Sequence, residues 1–188
     1  KRHAPATEAG RRGVGEFVAC RSKDPDLREV YIVEGDSAMP SCKLARNAEF
    51  QAIIPVRGKT LNCMKASYDR IFKSDIILDL LRVIGCGVEI QAKHKADMVS
   101  FDLANLRWSK IIICTDADED GFQIRTLLLT LFYRFMPELI YEGHVYVAMP
   151  PLYKVVPKRG GEGQYLYDDY ALAKYRKHHK NDFTLQRY

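Results

Sequence analysis

The stretch KIIICTDADEDG, residues 110–121, passes in one step from a continuous apolar run to four acidic side chains within five residues, Asp116, Asp118, Glu119 and Asp120. An unbroken apolar run is the pattern of a strand covered on both faces, as in a parallel sheet. The next segment, FQIRTLLLTLFYRF (122–135), reads as a long apolar helix. A buried strand that runs through an acidic turn into a helix points to an α/β architecture. The acids then lie at the carboxyl end of a strand, where open α/β sheets bind their ligands.

The rest of the chain repeats the pattern. REVYIVEG (28–35) reads as a short buried strand ended by Gly35, FQAIIPV (50–56) as a second and HVYVA (144–148) as a further one. SAMPSCKLAR begins with Ser37, a good N-cap, and is expected to be helical despite Pro40. SYDRIFKSDIILDLLRVIG (67–85) carries Ile76, Ile77, Leu80, Leu81 and Ile84 at helical spacing and stops at Gly85 as a helix should. Residues 86–107 are polar and loop-like. After MPPLYKVV, PKRGGEGQ reads as a turn and DDYALAKYRKHH as an exposed basic helix. Strand and helix in alternation predict a parallel sheet with helices on its faces.

Composition narrows the classes. The 188 residues, 47% hydrophobic and 28% charged, suffice for one core, or a core plus a small appendage. No stretch approaches the roughly 20 apolar residues of a membrane span, and the N-terminal KRHAPATEAGRRG lacks the apolar centre of a signal peptide, so a cytoplasmic protein is expected. Five scattered cysteines form no C-x-x-C pair, and their odd number argues against a disulfide framework; they read as reduced thiols. The start without Met and the abrupt end after FTLQRY suggest a piece of something longer. The net charge of +5 is uneven: residues 1–23 hold six basic and two acidic groups, and residues 157–188 seven and four. Residues 37–73 set Lys43, Arg46, Arg57, Lys59, Lys65, Arg70 and Lys73 against only Glu49 and Asp69. Such a segment is either a solvated face or a surface for a polyanion such as a nucleic-acid backbone.

With a spacing of two, Asp116, Asp118 and Asp120 can point the same way in an extended or turning backbone. Two like charges about 5 Å apart repel by roughly 3 kcal/mol at an effective dielectric of about 20, so a cation is expected to offset them. The ligands on offer are hard oxygens, which suit Mg²⁺, Mn²⁺ or Ca²⁺ and not zinc. D-x-D-x-D-G also opens a calcium-binding EF-hand loop, but the twelfth position from Asp116 is Leu127 where a Glu is needed, and a strand precedes it where a helix is needed. Mg²⁺ takes one or two carboxylates plus substrate phosphates and keeps several waters, which a half-open set of Asp residues supplies. Gly121 is expected to let the backbone turn around the ion. A second acidic signal, Glu34 and Asp36 around Gly35, ends the first strand. If strands 30–34 and 111–115 are neighbours, Glu34 and Asp116 emerge side by side.

YIVEGDSA, FQAIIPVRGKTLN, LRWSKIIICTDADEDGFQIRTLLLTLFYRFMPELI, GHVYVAMPPLYKV and FTLQRY together resemble, in this order, the TOPRIM region of bacterial type IIA topoisomerases, the gyrase and topoisomerase IV group. The resemblance implies a Rossmann-like parallel sheet, a basic segment at 1–27, the TOPRIM domain at 28–150 and a truncated C-terminal extension at 151–188. It makes Glu34 the catalytic, metal-binding glutamate that exchanges a proton with the DNA 3′ oxygen, and Asp116 and Asp118 the catalytic metal-binding aspartates, with Asp120 assisting one ion. It places Lys59, Asn62, Arg57, Lys43 and Arg125 on DNA, and Asp36 and Arg57 near the site of quinolone-type inhibitors. It implies Mg²⁺ as cofactor, with Mn²⁺ or Ca²⁺ as substitutes, and ATP bound elsewhere in the full-length protein. The implied partners are double-stranded DNA and a gyrase A-like subunit that carries the catalytic tyrosine in an A2B2 assembly; the fragment alone is expected to be inactive.

The sequence departs from the pattern at Met39, Pro40 and Ser41, where relatives have two glycines and a small residue, and at Gln123, where a histidine is expected. In GEFVAC, Glu16 and Ala19 stand where a Lys and an Asp are usual. These touch DNA contacts and helix packing, not metal ligands. Two other classes share some features: a TOPRIM nuclease or primase-like enzyme, which should lack RGKTLN and MPPLYKV, and a DNA-binding or assembly module that has lost catalysis. His178 and His179 lie on the polar helix and are read as solvated.

Overall fold

The computed structural model of the chain describes residues 17–89, 99–180 and 182–187, with the Asp36 side chain outside the description. Glu16 and residues 90–98 of the polar segment also lie outside it. The chain divides into two compact units, one ending at Val147 and one running from Ala148 to Tyr188.

The first unit is a four-stranded, wholly parallel sheet in the order β2-β1-β3-β4, made of β1 (Glu29–Glu34), β2 (Gln51–Val56), β3 (Lys110–Cys114) and β4 (Val145–Val147). Register is fixed at the amino end of the strands by a polar tie across three of them. Glu29 accepts from Lys110 Nζ at 2.8 Å and from Gln51 Nε2 at 2.9 Å. Slipping any one strand would break that tie and turn its apolar residues to the wrong face. Beyond β2, Val18 forms an isolated antiparallel bridge with Ile53.

Helices cover both faces. Helix α1 (Gly35–Ala45) lays Ala38, Met39 and Cys42 against Val33, Ile53, Tyr31 and Cys114. The opposite face packs Val30, Ile32, Ile54, Ile111 and Ile113 against α3 (Asp75–Ile84) and α4 (Glu119–Phe135), with Phe132 and Phe135 fully buried. Met39, one of the departures from the family pattern, is therefore a core residue.

The 67–85 segment is not one helix. A single turn, α2 (Tyr68–Ile71), ends at Phe72, and α3 restarts after Ser74, whose backbone is extended. The break seats Tyr68 and Phe72 against Phe135, with ring centroids 6.0 and 5.7 Å away. Aromatic packing outweighs the continuity that apolar spacing suggests. A short helix, α5 (Pro137–Tyr141), led by Pro137, also went unmarked in the sequence.

Trp108, 2% exposed, joins the loop before β3 to the end of α3. Its Nε1 donates to the Val83 carbonyl at 2.7 Å, an acceptor in the last turn of α3 that lacks a helical donor, and the Arg28 guanidinium lies 4.0 Å over its ring. Trp108→Phe is expected to cost about 2 kcal/mol in thermal unfolding, since the buried carbonyl loses its donor along with packing.

The second unit is an antiparallel sheet in the order β6-β5-β7, with β5 (Tyr153–Pro157), β6 (Gln164–Leu166) and β7 (Phe183–Arg187). Helix α6 (Asp169–His179) is capped by Asp168, which accepts from Ala171 N–H, and contributes Leu172 to a core of Tyr153, Val155, Leu166 and Phe183. His178 and His179 are exposed on it, each with Nδ1 against a carbonyl one turn back. Among the described residues no helix is long and apolar enough to cross a membrane.

Candidate metal centre at the carboxyl edge of the sheet

Strand order decides where a ligand fits. From β1 the chain crosses by α1 to β2 on one side, and from β2 it returns past β1 to β3 on the other. The loops leaving β1 and β3 therefore diverge, which makes the space between their carboxyl ends the switch point at which ligands bind in such sheets.

Glu34 ends β1 and is at once the residue preceding α1, yet its side chain makes no cap bond to that helix. Gly35 follows with φ 68°, a left-handed turn that a glycine adopts without strain and that starts α1 directly after the strand. Glu34 Oε2 instead accepts from the Asp116 N–H at 3.2 Å. In register, Val33 faces Cys114, so Glu34 and Asp116 leave neighbouring strand tips together. Burial pushes the Glu34 carboxyl above its ordinary pKa, and the charges of Asp116, Asp118 and Asp120 push it the same way, against the Asp116 N–H that favours the ionised form. These four acids share one electrostatic field.

The three aspartates do not, however, form one extended strip. Asp118 is the N-cap of α4, its Oδ1 accepting from Gly121 N–H at 2.8 Å, and Asp120 already lies in the first helical turn. Asp120 pairs with Lys59 Nζ at 2.9 Å, both side chains at least half exposed. Gly121 has no left-handed φ. Its missing Cβ is needed because one would overlap the Asp116 carbonyl oxygen and come within 2.8 Å of the carbonyl carbon. The glycine serves close packing of the acidic loop on α4, not a turn around an ion. Neither that contact nor the Lys59–Asp120 pair had a signal in the sequence, since each joins positions brought together only by the fold.

The remaining expected residues fall in three places. Arg57, Lys59 and Asn62 occupy the loop that leaves the carboxyl end of β2, where Asn62 Oδ1 accepts from Met64 N–H at 3.0 Å and shapes the turn. Arg125 sits on the second turn of α4 with its guanidinium 4.8 Å over the Phe122 ring. Lys43 lies in the last turn of α1, about 12 Å along the helix from Gly35, and is not brought to the acids. Asp36 follows Gly35 in α1, its side chain undescribed.

Among the described residues no group of three or more His, Cys, Asp or Glu side chains is arranged to hold a metal ion by itself. The donor set still fits Mg²⁺. The neighbouring carboxylates of Glu34 and Asp116 are hard oxygens at an open edge, and this ion needs only one or two of them, completing its shell with water and phosphate.

A model of the Toprim domain matches residues 29–150. Among characterised proteins, the chain is 49% identical over 161 residues to the DNA gyrase B protein of Campylobacter jejuni, covering 86% of this chain and 20% of that protein. It is 48% identical over 163 residues to the DNA gyrase B protein of Thermotoga maritima (87% and 24%), and 45% identical over 175 residues to that of Mycoplasma pneumoniae (93% and 25%). The chain thus spans a quarter or less of the length of these relatives.

Proposed function

This chain belongs to the Toprim domain family, and from that premise we propose that it is the metal-binding part of an ATP-dependent type IIA DNA topoisomerase of the gyrase B kind. In the complete enzyme, an isomerase, it supports cleavage and religation of double-stranded DNA. The attacking tyrosine comes from a gyrase A-like partner in an A2B2 assembly, and ATP is bound by other parts of the protein. The complex is cytoplasmic. The observation that supports this best is the Glu34 carboxylate on the Asp116 N–H, two strand tips at the point where the chain direction reverses.

In this reading Glu34, Asp116 and Asp118 are catalytic, and with Asp120 they would hold the ion. Mg²⁺, when bound, supplies positive charge at the scissile phosphate and at the leaving 3′ oxygen. The burial and neighbouring charges that raise the Glu34 pKa suit it to carry a proton to and from that oxygen. Lys59, Arg57, Asn62, Lys43 and Arg125 bind the DNA backbone. Asp36 and Arg57 form the edge at which quinolone-type inhibitors act.

The complete protein assembled with its partner subunit is expected to cleave duplex DNA with Mg²⁺ or Mn²⁺ and to stop when the metal is chelated. Covalent 5′-linked complexes counted on gels report this directly, and cleavage that persists undiminished in chelator would exclude the proposal.

A further inference from the structure

The Lys59–Asp120 pair spans an unusual distance in the fold. Lys59 rides on the loop after β2, while Asp120 follows β3, and β1 lies between those two strands. The ammonium and the carboxylate thus meet across the width of β1, over about 10 Å of sheet, with Glu34 on the intervening tip. The loop carrying the lysine turns at Gly58, φ 67°, where an added Cβ would meet nothing within 4 Å. The side chains are 50% and 66% exposed, so water screens the pair and the bond opens easily.

We propose that Lys59 is an exchangeable cation: it holds Asp120 while no divalent ion is present, and moves to a DNA phosphate when the ion binds. The idea rests on the metal-binding reading above and adds a coupling to it. A doubly charged ion beside Asp116 and Asp120 repels an ammonium on the same carboxylate, and the displaced ammonium already sits in a basic loop beside Arg57. Metal therefore releases one phosphate-binding group, and by reciprocity DNA that captures Lys59 makes Asp120 available to metal.

The test uses the complete protein, free of nucleotide and DNA, with Mn²⁺ binding followed by electron paramagnetic resonance. Lys59→Met is expected to raise Mn²⁺ affinity about two- to five-fold, the range of an exposed ion pair lost as a competitor, while Lys59→Arg stays near the parent. In an Asp120→Asn background Lys59→Met is expected to change nothing. No rise in the parent background, or an equal rise in both, overturns the exchange, since an equal rise is only the long-range effect of removing a charge. Duplex binding supplies the second arm: Lys59→Met should cost at least about twofold more affinity with saturating Ca²⁺ than with chelator, because only released lysine contributes its phosphate contact. An equal cost in both conditions also overturns it. Glu34→Gln and Asp116→Asn separate the two ideas. If both bind Mn²⁺ like the parent, the metal-binding reading itself falls; if both lose it while Lys59→Met has no effect, only the exchange falls.

Discussion

Asp116→Ala is expected to abolish metal-dependent DNA cleavage by the complete protein with its partner subunit, a loss of at least about a hundredfold, beyond that of a group that only orients a metal ligand. The substitution isolates the carboxylate. The backbone N–H at 116 remains and still donates to Glu34 Oε2, so the strand tips stay tied. The Asp116 side chain is exposed, and exposed substitutions of this sort change stability by about 0.5 kcal/mol or less. Removing one of four neighbouring negative charges should if anything raise the melting temperature, since like charges repel at this separation. Cleavage lost with an unchanged or raised melting temperature is the signature of a ligand. Cleavage retained in this variant would remove Asp116 from the chemistry.

The contrast between what was legible in the sequence and what was not follows the range of the forces. The run KIIIC and the strands ending at Glu34 and Val56 could be read because burial in a parallel sheet leaves a continuous apolar signal. From those strands, with a neighbour relation assumed, the meeting of Glu34 and Asp116 followed as geometry, and the register bears that out. Helix α3 was visible in its apolar spacing, but its separation from α2 was not, because Ser74 interrupts the backbone without interrupting the pattern. The second unit hid its strands for a simpler reason. β6 has three residues and β5 and β7 five each, mixing buried and exposed positions too briefly for a period of two to register. At the site, the charges are close enough to act on Glu34 together, but the single extended strip that a spacing of two allows is not formed. Asp118 and Asp120 are near Asp116 in the chain, yet the start of α4 assigns one to a cap and the other to Lys59. Helix capping satisfies an otherwise orphaned N–H, and that local demand wins over a shared direction.

Gly121→Ala should damage the site without touching any acidic side chain. In the first turn of α4 an alanine is ordinarily preferred over glycine by about 1 kcal/mol. Here the added Cβ would overlap the Asp116 carbonyl oxygen, a backbone atom that cannot rotate away. Either the first turn of α4 or the Asp116 peptide must shift, and overpacking of this kind costs about 1–3 kcal/mol, more than the helix preference returns. The functional cost is larger than the stability cost. A shift of the Asp116 peptide moves its N–H from Glu34 and loosens the cap that Gly121 N–H makes with Asp118. A displacement of about 1 Å in a catalytic group is enough for a hundredfold loss of rate, and that is the expected fall in cleavage. Ile124→Val in the same helix serves as the comparison. It removes one buried methylene, costs a similar ~1 kcal/mol, and leaves Asp116 in place. If both variants lose stability alike and only Gly121→Ala loses cleavage, the glycine sets the position of the acidic loop; equal cleavage in the two would show that the loop tolerates the shift.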